Sequence, residues 1–368
     1  MTDETPSRAK GVARVAAINV LVLAGLLLVA EGAASLYQAV VEYRAWKGEE
    51  VSLAERLYTE YDPLVGWINK PNVSIDDLYG PGVFVKTNAQ RFRDAEAVRP
   101  TVPAGRIRVV CSGDSFTFGY GVDNDHAWCN RLRALDPRVE PVNMGQGGYG
   151  VDQSFLWYQR DGMAIAHDVH VFAFLTIDFE RMAADSFLGY PKPVLTMKDG
   201  RAVADNVPVP RRTHVATLHF LRDLALFKTG AAWFAPEIAG NAEHGPQTVQ
   251  EIAQLAKAVF RQLNEMADKR GAKLLFVHLP EWQDYDDRSR DGFRKFLKTE
   301  AVKLDVPYLD LVEVMRGLPS DTAQRMFIDH DIKGFVGSKG HYNTVGNAFV
   351  SEHVMDALRE LGYVRPAK

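Results

Sequence analysis

The sequence predicts an α/β fold: a doubly wound, flavodoxin-like parallel sheet of about five strands with helices on both faces, preceded by an N-terminal transmembrane helix. Three observations carry this. Short apolar runs alternate with helical patterns from about residue 105 onward. Turn formers stop these runs, as Gly113 and Pro280 do. An uncharged stretch near the N-terminus follows a cluster of basic residues. Strands that alternate with helices are joined by crossovers, which makes them parallel and buries both faces of the sheet. At 368 residues the chain can bury a large core. Its net charge of -4 gives no electrostatic reason to expect nucleic acid.

The elements follow in chain order. Arg8, Lys10 and Arg14 precede VAAINVLVLAGLLLVA, uncharged from Val15 to Ala30. A bilayer span needs about 20 mostly apolar residues, and the run reaches that by extending past Glu31 to Tyr37. A cleaved signal peptide, with a small-residue site near Ala34-Ser35, is the alternative. We read residues 15–37 as an uncleaved anchor, because the helical pattern continues through Val41. Residues 1–14 then form a cytoplasmic tail and the rest lies outside the cytoplasm. Residues 38–104 are a linker and a turn-rich preamble that packs on the main domain.

The main domain spans residues 105–365. Strands are expected at 106–111, 141–144, 169–176, 273–279 and 306–311. Helices are expected at 127–135, 151–164, 248–270, 291–303 and 343–361. An insertion at 183–247 carries Asp199-Gly200, a strong hairpin signal, then a helix-like ATLHFLRDLALF and a loose linker. Cys111 and Cys129 are too few for a disulfide framework. We read them as two separately buried thiols, a single bridge in an oxidising compartment being the alternative.

Ligands of open parallel sheets bind beyond the carboxyl ends of the strands. Three segments fall there, and a fourth, in the loop before the last helix, can reach that edge. Ser115, in GDSFTFGYGV, follows the first strand and is either a nucleophile or a helix N-cap. Asn143-Met-Gly-Gln-Gly-Gly148 follows the second, and its glycines either present N–H groups to a ligand or make a tight turn. Asp178, in LTIDFER, follows the third; it caps the next segment or contacts the site, the cap being the safer reading. His341, in GSKGHYNTVGN, precedes the last helix and is either a polar surface residue of that loop or a general base, since a loop there can reach the sheet edge.

GDSFTFGYGV, NMGQGG and GHYNTVGN resemble three characteristic blocks of the SGNH (GDSL) hydrolases. The preamble DPLVGWINKPN…VKTNAQRFRD is similar to the lead-in of membrane-anchored bacterial members. The resemblance covers most of the chain from Tyr61. It implies Ser115 as nucleophile, His341 as base, and the N–H groups of Ser115 and Gly148 as oxyanion donors. Asp114, Asn143, Asp178 and Ser338 are the supporting candidates. Two positions depart from the pattern. Ile177 stands where the third block has Asn, whose amide completes the oxyanion hole. Ser338 stands where the last block has Asp orienting the histidine. Asp310, Asp329 and Asp331 are the candidate replacements.

The expectation is an SGNH-type esterase or O-acyl transferase acting on envelope glycan or lipid esters, in the bacterial inner membrane with its domain in the periplasm. The alternative is a catalytically impaired binding or assembly module. No cofactor or metal is expected. His167, Asp168 and His170 lack the spaced carboxylate–histidine set of a metal site, and NMGQGG lacks the G-x-G-x-x-G order of a dinucleotide loop.

Overall fold

A computed structural model describes residues 5–48, 57–211, 248–332 and 337–364. The chain divides into two units, Met1–Glu50 with Arg212–Glu243, and Val51–Arg211 with His244–Lys368. The described part of the first unit is one helix, α1 (Thr5–Gly48). Within it, Lys10–Tyr37 is long and apolar enough to cross a membrane, at a mean hydropathy of 2.4. The helix-like segment expected at 216–227 lies outside the described residues.

The second unit is built on five parallel strands: β1 (Ile107–Gly113), β2 (Val139–Gly145), β3 (Val169–Phe174), β4 (Lys273–His278) and β5 (Tyr308–Asp310). Their spatial order is β2-β1-β3-β4-β5. The order reverses between β1 and β3, where a crevice opens at the carboxyl edge. Alternating side chains feed two cores. Val110, Phe172, Phe174 and Phe276 meet α4 (Val151–Arg160), α6 (Val249–Arg270) and α7 (Asp291–Lys303) on one face. Cys111, Val171, Ala173 and Val277 meet α3 (Trp128–Leu135), α8 (Leu311–Arg316) and α9 (Thr344–Glu360) on the other. Near-complete burial of β1 to β4 is why these strands read as largely apolar runs in sequence, while the residues of the edge strand β5 are only partly buried.

Short helices α2 (Ser115–Phe118) and α5 (Thr176–Glu180) start directly after β1 and β3. The third strand thus ends at Phe174, two residues before the expected Thr176, and Ile177 and Asp178 are helical. The fifth strand is three residues long, against the six expected, because Leu311 already begins α8. The hairpin at Asp199-Gly200 forms as expected, pairing Leu195–Lys198 with Arg201–Ala204.

Cys111 and Cys129 are not separate thiols. They form a disulfide, with Cα atoms 6.2 Å apart, joining β1 to α3. Both residues point into the same core, where the helix following the α2 loop packs back on the strand that precedes it. Spacing along the chain gave no sign of that return.

The preamble is part of this unit's core. Val65, Trp67, Ile68 and Phe92 pack with α4, and Tyr58, Tyr79 and Val85 pack with Phe118 and Tyr120.

Candidate active site

The β1 strand delivers the chain into α2 through Gly113-Asp114-Ser115. Asp114 is the N-cap: its Oδ1 accepts from Phe116 N at 2.9 Å. That removes the capping reading of Ser115, which is the first helical residue. Its hydroxyl instead meets Nε2 of His341 at 2.8 Å, across 226 positions of sequence.

His341 is held from both sides of its loop. Its carbonyl accepts from Ile328 N at 2.8 Å, and Asn343 caps α9 by accepting from Val345 N at 2.9 Å and Gly346 N at 3.2 Å. The ring lies against Phe116 and Tyr120, with centroids 4.6 and 5.1 Å away. Its Nδ1 lies 3.2 Å from the main-chain carbonyl of Ser338. A carbonyl only accepts, so Nδ1 carries the proton and Nε2 turns its lone pair to the Ser115 hydroxyl. Burial pushes the His341 pKa down to about 4, against the Ser338 carbonyl, which raises it; the positive charge of Arg181 adds to the lowering. The ring is therefore neutral at pH 7, the form that accepts a proton.

Ser338 does not orient His341 through its side chain, contrary to the role open to its hydroxyl. Oγ of Ser338 accepts from Ile332 N at 2.7 Å. Nor do the three candidate carboxylates reach the ring. Asp310 pairs with Arg294 at 2.5 Å, Asp329 pairs with His330, and Asp331 accepts from Gly337 N and Lys339 N, each at 3.1 Å.

The second glycine segment packs directly against α2. A Cβ on Gly145 would lie 2.0 Å from Phe118 N, so only glycine allows this approach. Asn143 secures it: Nδ2 donates to Thr117 O at 2.9 Å and Oδ1 accepts from Gly145 N at 2.9 Å. Gly148 has φ +74° and lines the same cleft as Ser115 and His341. Neither the Ser115 nor the Gly148 N–H meets an acceptor among the described residues.

Asp178 takes the capping role, accepting from Leu175 N at 2.9 Å, and its Oδ1 pairs with Arg181 at 2.6 Å. Burial raises its pKa well above the usual carboxylate range, and the charge of Asp114 adds to this. The Ile177 side chain packs at the edge of the apolar core. In front of Ser115 lies a cleft of about 260 Å³. Leu175, Phe187 and Leu188 give it apolar walls, and Arg181, Glu281 and Gln283 give it polar ones. Arg181 and Glu281 went unremarked in the sequence. Arg181 stands in the quoted LTIDFER, but nothing in that string marks it as facing Ser115. Glu281 follows β4 by three residues, at the carboxyl edge where the topology places ligand groups.

His167 and His170 contribute to packing. His167 bonds Ile165 O and the Tyr158 hydroxyl, each at 3.0 Å. His170 bonds Ser112 Oγ at 2.9 Å, and Asp168 accepts from Arg108 N at 2.8 Å.

No family model and no curated protein matches this chain. Among solved structures it is similar to a lipase/acylhydrolase from Enterococcus faecalis: 14% identity, 71% of this chain, 99% of that one, TM-score 0.40. It is similar also to a lipolytic protein of the G-D-S-L family from Veillonella parvula: 14% identity, 68% and 97% covered, TM-score 0.37. A third is a variant acetyl xylan esterase from Geobacillus stearothermophilus: 14% identity, 73% and 100% covered, TM-score 0.39. These likenesses are too distant to carry an activity over to this chain.

Proposed function

We propose that this protein is an SGNH-type serine ester hydrolase or O-acyl transferase, anchored in the bacterial inner membrane, with its α/β unit in the periplasm. The observation that carries the reading is the 2.8 Å contact between His341 Nε2 and Ser115 Oγ.

Ser115 Oγ attacks the acyl carbon while its proton passes to His341 Nε2, which faces it unprotonated. The carbonyl oxygen becomes an oxyanion before the N–H groups of Ser115 and Gly148, which meet no acceptor among the described residues. The leaving alcohol takes the proton from His341. Water, or a sugar hydroxyl in a transferase, then attacks the acyl-enzyme with His341 again as base. Asp114 and Asn143 keep Ser115 and the glycine segment in place, Asp178 fixes the start of α5, and Ser338 supplies the carbonyl that sets the tautomer of His341. The small cleft with apolar walls favours a short acyl group such as acetyl, on a glycan or lipid alcohol outside the cleft.

Two features support the location. The basic residues before the apolar stretch keep the N-terminus in the cytoplasm, with residues 1–14 as tail and 15–37 as anchor. The Cys111–Cys129 bridge suits an oxidising compartment.

A fluorophosphonate probe tests the chemistry. It should label the wild type and leave Ser115→Ala unlabelled; an unlabelled wild type, beside a labelled serine esterase control, would sink the reading. Ile177 and the absence, among the described residues, of a carboxylate bonded to His341 favour a second reading, a binding module that retains the pocket. That module binds its glycan equally well after Ser115→Ala and turns nothing over.

A further inference from the structure

Ile177 leaves the cleft without the amide that a third-block asparagine would aim at the oxyanion, yet the next turn of the same segment brings a stronger donor. Arg181 lines the cleft beside Ser115, Gly148 and His341. Its Nη1 donates to Asp178 Oδ1 at 2.6 Å and to Tyr149 O at 2.8 Å, and lies 3.5 Å from Asp114 Oδ2. That same Asp114 oxygen lies 3.3 Å from Ser115 Oγ. The guanidinium is thus tied to the neighbour of each backbone donor, Asp114 beside Ser115 and Tyr149 beside Gly148. Lys192, itself ion-paired with buried Asp152, grips the Arg181 carbonyl at 3.1 Å. The Phe187 ring covers the guanidinium at 5.0 Å.

These contacts all engage Nη1, and no hydrogen bond from Nη2 is made among the described residues. Nε of Arg181 is buried and has no acceptor among the described residues. A buried N–H without a partner is costly, while the rest of the Arg181 side chain keeps part of its surface open to the cleft. Five N–H bonds radiate from a guanidinium, and the anchoring contacts all fall on Nη1.

We propose that Arg181 supplies the side-chain donor to the acyl oxygen that Ile177 cannot supply. The inference rests on the reading of Ser115 as nucleophile. As Ser115 Oγ bonds to the acyl carbon, the carbonyl π pair moves onto oxygen and the serine proton moves to His341. Arg181 and the N–H groups of Ser115 and Gly148 hold the oxyanion until the pair returns and expels the alcohol. A cation here does more than an amide, because charge-assisted hydrogen bonds are roughly twice as strong as neutral ones.

The test uses the full chain in detergent with p-nitrophenyl acetate. Arg181→Ala should lower kcat by about a hundredfold or more, with KM changed less than about threefold, the signature of a group that acts in the transition state. Added guanidinium, at concentrations well below denaturing, should restore part of that kcat. Arg181→Lys keeps a cation against Asp178 and preserves the fold if the alanine variant does not; it should lose kcat by about tenfold or more. Folded variants that keep kcat within about threefold overturn the proposal, as does a loss confined to KM or one that guanidinium does not relieve. An inert wild type, with no fluorophosphonate labelling, overturns the esterase reading and this one with it. A labelled, active wild type beside fully active Arg181 variants overturns this one alone.

Discussion

The ring of His341 is oriented by the main chain of Ser338, whose carbonyl lies 3.2 Å from Nδ1. The Ser338 hydroxyl is engaged elsewhere, on Ile332 N. Ser338→Ala should therefore keep kcat/KM within about fivefold, because the orienting carbonyl survives. Its cost should appear in stability, at about 1 kcal/mol for one lost hydrogen bond. A hundredfold fall in kcat/KM on an aryl acetate would show that the hydroxyl, rather than the carbonyl, supports the base.

The pH profile follows from two groups in the cleft. His341 must be neutral to accept the serine proton, and burial holds its pKa at about 4. Protonation at lower pH removes the base, so the acid limb of kcat/KM should fall near pH 4 rather than near 6.5. Glu281 is pushed up to about 7, first by burial and then by the charge of Asp284, while Arg290 and Arg181 oppose the shift. It is neutral below that value and anionic above it, so a second inflection should appear near neutrality. Glu281→Gln should erase that inflection and leave the limb near 4. An unchanged profile in the variant would remove Glu281 from the titration.

Much of the framework was legible because local and global signals agree in it. Four of the five strands are almost wholly buried, so their apolar composition announces them, and Thr248 with Glu251 and Gly271 frames α6 as caps should. Ser115 and His341 were legible from motif order together with topology, which returns both segments to one sheet edge. The support around them was not. A cysteine pair 18 residues apart reads alike whether the chain folds back or not. The backbone carbonyl at Ser338 leaves no trace in residue identity. Arg181 looks like any charge at the end of a short helix. The preamble's role in holding the site was also invisible, since Trp67 Nε1 reaches Gly147 O at 2.9 Å across 80 positions.

The disulfide makes a separate prediction. It closes an 18-residue separation between β1 and α3, and cross-linking a loop of that size stabilises by about 3 kcal/mol in the chain-entropy account. Cys111→Ala with Cys129→Ala should lower the urea-derived unfolding free energy by about that amount. Reducing agent should lower the wild-type midpoint and leave the double variant's unchanged. Equal midpoints for the wild type with and without reductant would count against the bridge.

Arg93 gives the strongest test of the preamble. It is fully buried and donates to the carbonyls of Phe118, Gly119 and Val122 and to Asn124 Oδ1, the loop that leaves α2. Its guanidinium also lies over the Phe118 ring at 4.5 Å. Those carbonyls face protein rather than water, so Arg93→Met leaves them without donors while keeping most of the volume. Hydrogen bonds from a charged donor contribute about 1.5–3 kcal/mol each, and part of this is recovered as the loop relaxes. The variant should lose about 3 kcal/mol of stability. It should also lower kcat by about tenfold or more, although Arg93 touches neither Ser115 nor His341, because the loop carries Tyr120 against the His341 ring. Fluorophosphonate labelling should slow in proportion, since the probe reports the same Ser115–His341 geometry. A variant that is destabilised yet labels at the wild-type rate would confine Arg93 to a structural role.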